Sequence, residues 1–327
     1  DTEIVANDEL LTKYLAKNKE AVLGEIIATI QKEQNEIIRK SPYHNMIVQG
    51  VAGSGKTTVA MHRISFILYN YAERFRSDDF YIVGSNRILL NYITGVLPDL
   101  DVYGIRQMTM EQLFVRLLYE DWDEKKYQIT GTGQTAKDSV KGTLLWFRDL
   151  QAYCQELEWQ TIPRESVFLN PRQFVEGIQN GKTGVFDMTA GQKVNPADLK
   201  ELVSRETVER YIRQNPSVSI QSKINMLNDR LLIKIKEEFL GKGVSYTENE
   251  RKAIRKAYRG NKKKKVWRQS IYELYQHFLL KQAAKGYEIT FPETAFDVYD
   301  LAALAYLYKR VKETDIISEA HHIVIDE

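Results

Sequence analysis

Eight consecutive residues near the start of the chain have the types and spacing needed to bind nucleotide phosphates. The segment Gly50–Thr57 reads GVAGSGKT and fits the pattern Gly-x4-Gly-Lys-Ser/Thr in full. Glycines let the backbone close around an anion and direct its N–H groups at phosphate oxygens, and a helix that begins at the loop adds its positive end. In this chemistry Lys56 neutralises the β- and γ-phosphates, and the Thr57 hydroxyl binds Mg²⁺. The predicted nucleotide-binding residues are Gly50, Gly53, Ser54, Gly55, Lys56, Thr57 and Thr58.

Two carboxylates at the other end of the sequence are the candidates for completing this site. Asp326 and Glu327 follow the apolar run His322–Ile325. We expect Asp326 to hold Mg²⁺ together with Thr57, and Glu327 to orient or deprotonate the attacking water. Lys56, Asp326 and Glu327 together form the predicted catalytic set. Acids often follow strands for structural reasons, so the prediction for the two acids depends on the complete phosphate-binding motif at Gly50–Thr57. We expect a glutamate at a chain end to fray, which would leave this piece weakly active or inactive.

The elements that must position these residues follow from the spacing of apolar residues. A helical pattern occupies 4–40 and ends at Ser41-Pro42, because the residue before a proline avoids the helical region. Strand-like apolar runs then alternate with helical patterns, which favours a parallel sheet covered on both faces. In chain order these are strand Met46–Val48, helix Val59–Tyr71, strand Phe80–Val83, helix Ile88–Leu97, an extended segment Val102–Met108 and helix Met110–Tyr119.

This alternation stops near residue 120 and returns only near residue 290. Lys56 and Asp326 are 270 positions apart, which far exceeds the few βα units that a compact nucleotide-binding core needs between them. We therefore interpret the interval as a mainly helical insertion. The helices predicted within and after it are Leu144–Leu157, Pro196–Arg213, Ile220–Leu240, Val266–Ala284 and Phe296–Lys309, and a buried strand is predicted at His322–Glu327.

The loop and the segment before it resemble two motifs of one protein family. Gly50–Ile64, which reads GVAGSGKTTVAMHRI, is similar to the first motif of UvrD/Rep-type superfamily 1 helicases. Ile30–Ile38 resembles the Q motif of that family, which implies that Gln34 hydrogen-bonds the edge of adenine. A carboxamide offers a donor and an acceptor that match adenine N6 and N7 and reject guanine. The alternative is that Gln34 is an exposed glutamine on a helix.

Two strand ends downstream resemble the segments with which this family contacts single-stranded DNA. Ser85 and Asn86 lie at the position of motif Ia, and Thr109 lies near motif Ib. Both matches are short, so ordinary loops at the ends of strands are the alternative for each.

The resemblance implies an α/β fold: the parallel sheet of a RecA-like P-loop NTPase with a large, mainly helical insertion. Asp300–Leu304 and the strand after it are similar to the family's approach to motif II, and the family places an accessory domain in the interval before them. The implied divisions are an N-terminal helical segment (1–30), the first part of the RecA-like ATP-binding domain (31–120), the insertion as an accessory domain or arm (121–290), and the return helix with the Walker B strand (291–327).

Within this family, the amino-acid sequence of 47–57 and the long insertion look like those of the HelD-type branch of RNA polymerase-associated helicases. This implies a first motor domain that binds ATP and Mg²⁺ and couples ATP hydrolysis to remodelling of nucleic acid or RNA polymerase. The expected partners are DNA (single-stranded or a duplex junction), RNA polymerase, and a second RecA-like domain whose motifs are not found before Glu327. The alternatives are a DNA-unwinding UvrD/Rep helicase without a polymerase role, and a non-translocating, ATP-regulated polymerase-binding factor.

Basic residues are concentrated in one segment of the chain. The net charge is +2, yet ten Lys and Arg residues and no acid lie between Arg251 and Arg268. Such residues neutralise phosphates, and the interleaved Tyr258 and Trp267 can stack on bases. The segment is a candidate contact for nucleic acid or polymerase, with a solvated helix face and loop as the alternative. Its most concentrated part is Lys262, Lys263, Lys264 and Lys265.

The composition favours a protein that resides in a reducing compartment and does not span a membrane. Cys154 is the single cysteine and cannot form an intramolecular disulfide, which is typical of cytosolic proteins. No apolar run approaches the roughly 18 residues that a membrane-spanning helix needs. We therefore expect a cytoplasmic protein with no membrane partner.

Overall fold

A computed structural model of the chain describes residues 31–131, 140–169, 200–240, 247–249, 252, 269–312 and 320–326. The chain divides into two compact units, one formed by Asp1–Leu113 with Ser318–Glu327 and the other by Phe114–Ile317. Several sequence predictions lie outside the described residues. They are the helical pattern before residue 31, the basic residues Lys262–Lys265 and the carboxylate of Glu327.

Helices and short strands make up most of the described residues. In chain order the helices are α1 (31–39), α2 (Lys56–Asn70), α3 (Arg87–Val96), α4 (Met110–Leu118), α5 (Leu144–Thr161), α6 (Arg205–Gln214), α7 (Ile220–Leu240), α8 (Ile271–Ala284) and α9 (Val298–Val311). The strands are β1 (Phe80–Gly84), β2 (Arg106–Thr109), β3 (Gln128–Ile129), β4 (Val167–Leu169), β5 (Lys200–Val203), β6 (Ala295–Phe296) and β7 (His322–Asp326).

The first unit contains a three-stranded parallel sheet in the order β2-β1-β7. β1 lies in the middle and is buried on both faces. Phe80 and Ile82 pack with apolar residues of α2 and α3, whereas Tyr81 and Val83 pack with Met108 on the opposite face. A strand covered on both faces is typical of parallel sheets. The predicted α/β class and the predicted buried strand in this region are confirmed.

Two other strand predictions need correction. Met46–Val48 forms no strand in the described structure, and Ile47 is 97% exposed. β7 forms where it was predicted, but it is not fully buried, because Ile325 is 62% exposed. Burial of a strand depends on its neighbours as well as on its own apolar residues. Among the described residues β7 pairs with β1 alone, and the 46–48 segment pairs with no strand.

The helices α1 to α4 lie close to their predicted positions. α1 ends at residue 39, just before the Ser41-Pro42 pair that predicts its end. α3 begins directly after Asn86, whose side-chain oxygen accepts a hydrogen bond from Leu89 N at 2.9 Å. The helices predicted at Val59–Tyr71 and Met110–Tyr119 form as α2 and α4, with ends shifted by three residues or fewer.

The second unit packs α5 to α9 around an apolar core. α9 is central to it and contacts α5, α7 and α8. Small strand pairs accompany the helices, with β3 and β6 parallel and β4 and β5 antiparallel. The helices predicted at Leu144–Leu157 and Ile220–Leu240 form as α5 and α7, whereas the strand pairs were not predicted.

Three predicted helices begin later in the structure, because side-chain caps fix where each helix can start. The hydroxyls of Ser204 and Ser270 accept hydrogen bonds from backbone N–H groups in the first turns of α6 and α8, and the carboxylate of Asp297 does so for α9. Each helix begins one residue after its cap. The predictions corrected in this way are Pro196–Arg213, Val266–Ala284 and Phe296–Lys309.

The structure divides the range 291–327, which the sequence analysis grouped with the ATP-binding domain. α9 belongs to the second unit, because Leu301, Leu304 and Leu307 are fully buried in that unit's core. From residue 318 onward the chain belongs to the first unit.

Candidate nucleotide-binding site

The chain turns sharply just before α2. Gly53 and Gly55 have φ angles of +77° and +84°, a left-handed region that residues with a Cβ rarely adopt. A Cβ at Gly50 would lie 2.6 Å from Ser54 Oγ, so the Ser54 side chain would have to move to admit one. α2 begins at Lys56, so the first-turn N–H groups, which have no partner within a helix, lie directly after the loop. Loop and helix together have the construction of a phosphate-binding site.

Lys56 folds back over this loop. Its Nζ donates hydrogen bonds to the carbonyl oxygens of Gly50 and Val51, at 2.9 and 3.0 Å. A phosphate oxygen is a stronger partner for an ammonium than a carbonyl, because that hydrogen bond joins opposite charges. Thr58, the third residue of α2, is exposed beside the loop. The Lys56 ammonium therefore lies at the loop that the sequence predicts to bind phosphate.

A hydrogen bond joins this loop to the end of β7. The Thr57 hydroxyl donates to Asp326 Oδ2 at 2.6 Å, although the two residues are 269 positions apart in sequence. The acceptor is a carboxylate, which makes such a bond short and strong. The structure thus brings together the two side chains predicted to bind Mg²⁺.

The chemistry of this pair fits a magnesium ion bound with a nucleotide. Mg²⁺ prefers oxygen ligands, and it is usually held by one or two protein side chains, several waters and the phosphates of a substrate. Thr57 and Asp326 provide two such oxygen ligands at one position. Within the described ranges, no group of three or more His, Cys, Asp or Glu side chains could hold a metal ion.

Gln34 also lies at the loop. Its Nε2 donates a 3.2 Å hydrogen bond to the carbonyl oxygen of Ser54, and a Cβ placed on Gly55 would lie 3.2 Å from the same nitrogen. The side chain is half-buried in this position. α1 therefore holds the Gln34 carboxamide against the loop.

The carboxyl ends of the three strands lie side by side. Gly84 of β1 is in register with Thr109 of β2 and with Asp326 of β7. The next residue, Ser85, is exposed, and its backbone N–H donates to the Asp326 carbonyl oxygen at 3.1 Å. Asn86 is exposed too and caps α3. The predicted motif Ia residues thus adjoin the predicted metal ligand.

Thr109 is in a different environment. It is only 8% exposed, and its hydroxyl accepts a hydrogen bond from Gln112 N at 3.3 Å. Its own backbone N–H donates to Gln112 Oε1 at 2.9 Å. These reciprocal bonds organise the start of α4, so the structure gives this side chain a local structural role.

A groove of about 630 Å³ lies between α1, α2, the 44–48 segment and β7. This volume is within the range of roughly 300 to 1,000 Å³ that small-molecule sites occupy. Both Lys56 and Asp326 line it, so the groove reaches the loop. Other lining residues are Ile37, Met46, Val59, Arg63 and His322.

Arg63 is a residue of this region that the sequence analysis missed. It is 7% exposed, and burial lowers its pKa. The pKa of His322 is also lowered, by burial and by the nearby charge of Arg63. The available signal was helical spacing, since Arg63 lies one turn after Val59 and beside Ile64 on the buried face of α2. A charged residue on an apolar face indicates that buried partners exist.

Comparisons with known proteins do not assign a family to this site. The chain matches no protein-family model, and it matches no curated protein. In the part of the chain that the structure describes, no helix combines the length and apolar character needed to cross a membrane.

Proposed function

We propose that the chain is the ATP-binding first motor domain of a superfamily 1 helicase-type protein, with a RecA-like core in its first unit. The observation that carries this proposal is the 2.6 Å hydrogen bond between Thr57 and Asp326. It joins the end of a phosphate-binding loop to an acid at the carboxyl end of a parallel strand. Two distant segments thereby converge on one metal position, as a nucleotide hydrolase requires.

Each residue of the site has a defined task in ATP binding. The N–H groups of the loop and of the first turn of α2 face the phosphates, and Lys56 exchanges its carbonyl partners for phosphate oxygens. Thr57 and Asp326 hold Mg²⁺, which when bound stabilises negative charge on the phosphates. Gln34 lies at the loop to contact the adenine edge. The role of Glu327 as the base that activates water remains part of this proposal.

The strand ends support coupling of this site to nucleic acid. Asp326 offers its side chain to the loop and its backbone oxygen to Ser85, which is exposed next to Asn86. A shift of Asp326 on nucleotide binding therefore acts directly on the segment that resembles a DNA contact. We propose that ATP hydrolysis is coupled in this way to remodelling of DNA, or of RNA polymerase bound to DNA.

Replacement of Lys56 by alanine tests ATP binding. Loss of one charge-assisted hydrogen bond of roughly 1.5–3 kcal/mol weakens the affinity by about 10- to 100-fold. Titration calorimetry with ATP and Mg²⁺ measures this change. Lys125→Ala is the control, because Lys125 is exposed and belongs to the second unit, so this variant should bind ATP with wild-type affinity. Retained affinity in the Lys56 variant would place the nucleotide elsewhere.

Binding of labelled single-stranded DNA, with and without a non-hydrolysable ATP analogue, tests the coupling. The motor proposal predicts that the analogue changes the DNA affinity and that Asn86→Ala weakens DNA binding in both states. A different result would favour an ATP-regulated polymerase-binding factor: the DNA affinity does not change when the nucleotide is added, and the ATPase rate changes when RNA polymerase is added. Duplex unwinding without a response to polymerase would favour a UvrD/Rep-type helicase.

A further inference from the structure

The buried side chain of Arg63 binds the end of α1. Its Nη1 donates to the carbonyl oxygens of Ile37 at 2.9 Å, Ile38 at 3.2 Å and Lys40 at 2.7 Å, and its Nη2 donates to that of Ser41 at 3.1 Å. These four carbonyls belong to the last helical residues of α1 and to the turn that follows. One guanidinium from α2 therefore binds two carbonyls in the last turn of a neighbouring helix and two in the turn that follows it.

This arrangement answers a physical requirement of helix ends. The last four carbonyl groups of a helix have no partner within it, and they carry the negative end of the helix dipole. A guanidinium is planar, keeps its charge and has five N–H donors, so it can satisfy several carbonyls at once. Nη1 makes three of the four bonds and Nη2 makes the fourth, so a lysine, with its donors on one nitrogen, would lose at least the bond to the Ser41 carbonyl oxygen.

α1 meets the rest of the nucleotide site at a second point. Gln34 lies on the same helix and donates to the Ser54 carbonyl oxygen in the loop, at 3.2 Å. The position of the Gln34 carboxamide therefore depends on how α1 is held, and Arg63 holds its end. The phosphate-binding loop leads directly into α2, so it is held by α2 as well as by its contact with Gln34.

We propose that Arg63 is a positioning residue that fixes α1 so that Gln34 selects adenine over guanine nucleotides. This inference rests on the proposed ATP-binding function and assigns the base preference of the same site. Adenine presents a donor at N6 and an acceptor at N7, whereas guanine presents an acceptor at O6. A carboxamide distinguishes the two bases only when its orientation is fixed, because it has both a donor and an acceptor to offer.

The test compares Arg63→Gln, Arg63→Lys and Gln34→Ala with the wild-type protein. Calorimetry gives the Kd of ATP, GTP and inorganic tripolyphosphate, each with Mg²⁺. Loss of about one hydrogen bond to the base in Arg63→Gln should raise the Kd of ATP by about threefold to tenfold and leave GTP and tripolyphosphate within about twofold. Arg63→Lys should be intermediate. The double variant of Gln34 and Arg63 should be no worse than Gln34→Ala, because both changes remove the same interaction.

Equal weakening of all three ligands in Arg63→Gln would overturn the proposal, since it would show a general role in folding. An unchanged ratio of ATP to GTP affinity in Arg63→Gln, alongside a lost preference in Gln34→Ala, would overturn it too. Hydrogen exchange gives an independent readout: amides of 31–39 should exchange faster in Arg63→Gln, while those of α2 stay protected. Wild-type protein that binds triphosphates without base preference would contradict this inference alone, whereas wild-type protein that binds none would contradict the proposed function.

Discussion

At the scale of single residues, the backbone conformation requires glycine at one position of this chain and not at another. Gly55 has a left-handed φ of +84°, and a Cβ there would press on Gln34 Nε2 at 3.2 Å. Gly95 lies inside α3, is exposed, and a Cβ there would have no neighbour within 4 Å. The same substitution therefore has opposite consequences at the two positions.

We predict that Gly55→Ala destabilises the first unit and weakens ATP binding, since a left-handed conformation costs a residue with a Cβ roughly 1–2 kcal/mol. Gly95→Ala should stabilise the protein by up to about 1 kcal/mol, because alanine favours a helix over glycine. Urea unfolding followed by circular dichroism measures stability, and calorimetry measures ATP affinity. Wild-type stability and ATP affinity in Gly55→Ala would show that the loop does not need its left-handed turn.

At the scale of elements, two lysines of α7 form ion pairs with glutamates in contrasting environments. Lys223 is 1% exposed and lies 2.7 Å from Glu158 of α5, which Arg310 of α9 also approaches at 3.6 Å. Lys234 and Glu237 lie 3.0 Å apart, with about half of each side chain exposed. The buried pair therefore joins helices, whereas the exposed pair lies within one helix.

We predict that Lys223→Ala lowers the free energy of unfolding of the second unit by up to about 3–5 kcal/mol, because it leaves the buried Glu158 carboxylate with the more distant Arg310 as its cation. Lys234→Ala, the control on the same helix, should cost less than about 1 kcal/mol. Urea unfolding monitored by tryptophan fluorescence measures the stability of both variants. The tryptophans that the structure describes lie in this unit. Similar effects of the two changes would mean that the buried pair does not stabilise the helix packing.

Local patterns in the sequence predict local structure well. They fail where the structure of a segment depends on a strand or side chain that is distant in the sequence. β1, α5 and α7 follow from the spacing of their apolar residues, and the glycine turn before α2 follows from its motif. The apolar run Met46–Val48 was wrongly predicted to be a buried strand, because pairing with a neighbouring strand cannot be deduced from the run itself. β5 was missed because its partner, β4, is more than thirty positions away. Arg63 was missed because its partners are backbone carbonyls, which carry no sequence signal.

At the scale of the whole molecule, the site depends on the route of the chain through the first unit. β1 and β2 are neighbours, and after Phe114–Ile317 the chain returns as β7 on the other side of β1. In open parallel sheets, ligands bind at the carboxyl ends of strands where the strand order reverses in this way. Asp326 ends β7 at that edge and contacts Thr57. The motif residues predicted this meeting, and the long interval between them predicted an inserted segment, whereas the order of the strands could not be deduced from local patterns.

The Mg²⁺ dependence of ATP binding in Asp326→Asn tests the central claim most directly. The substitution keeps the shape of the side chain and removes its charge, so it tests metal binding with little change in packing. Asp99→Asn is the control, because Asp99 is exposed elsewhere in the first unit. We predict that Mg²⁺ tightens ATP binding in the wild-type protein and in the control, and that this gain is largely lost in Asp326→Asn while affinity without Mg²⁺ is kept. An undiminished gain from Mg²⁺ in Asp326→Asn would contradict the proposed site.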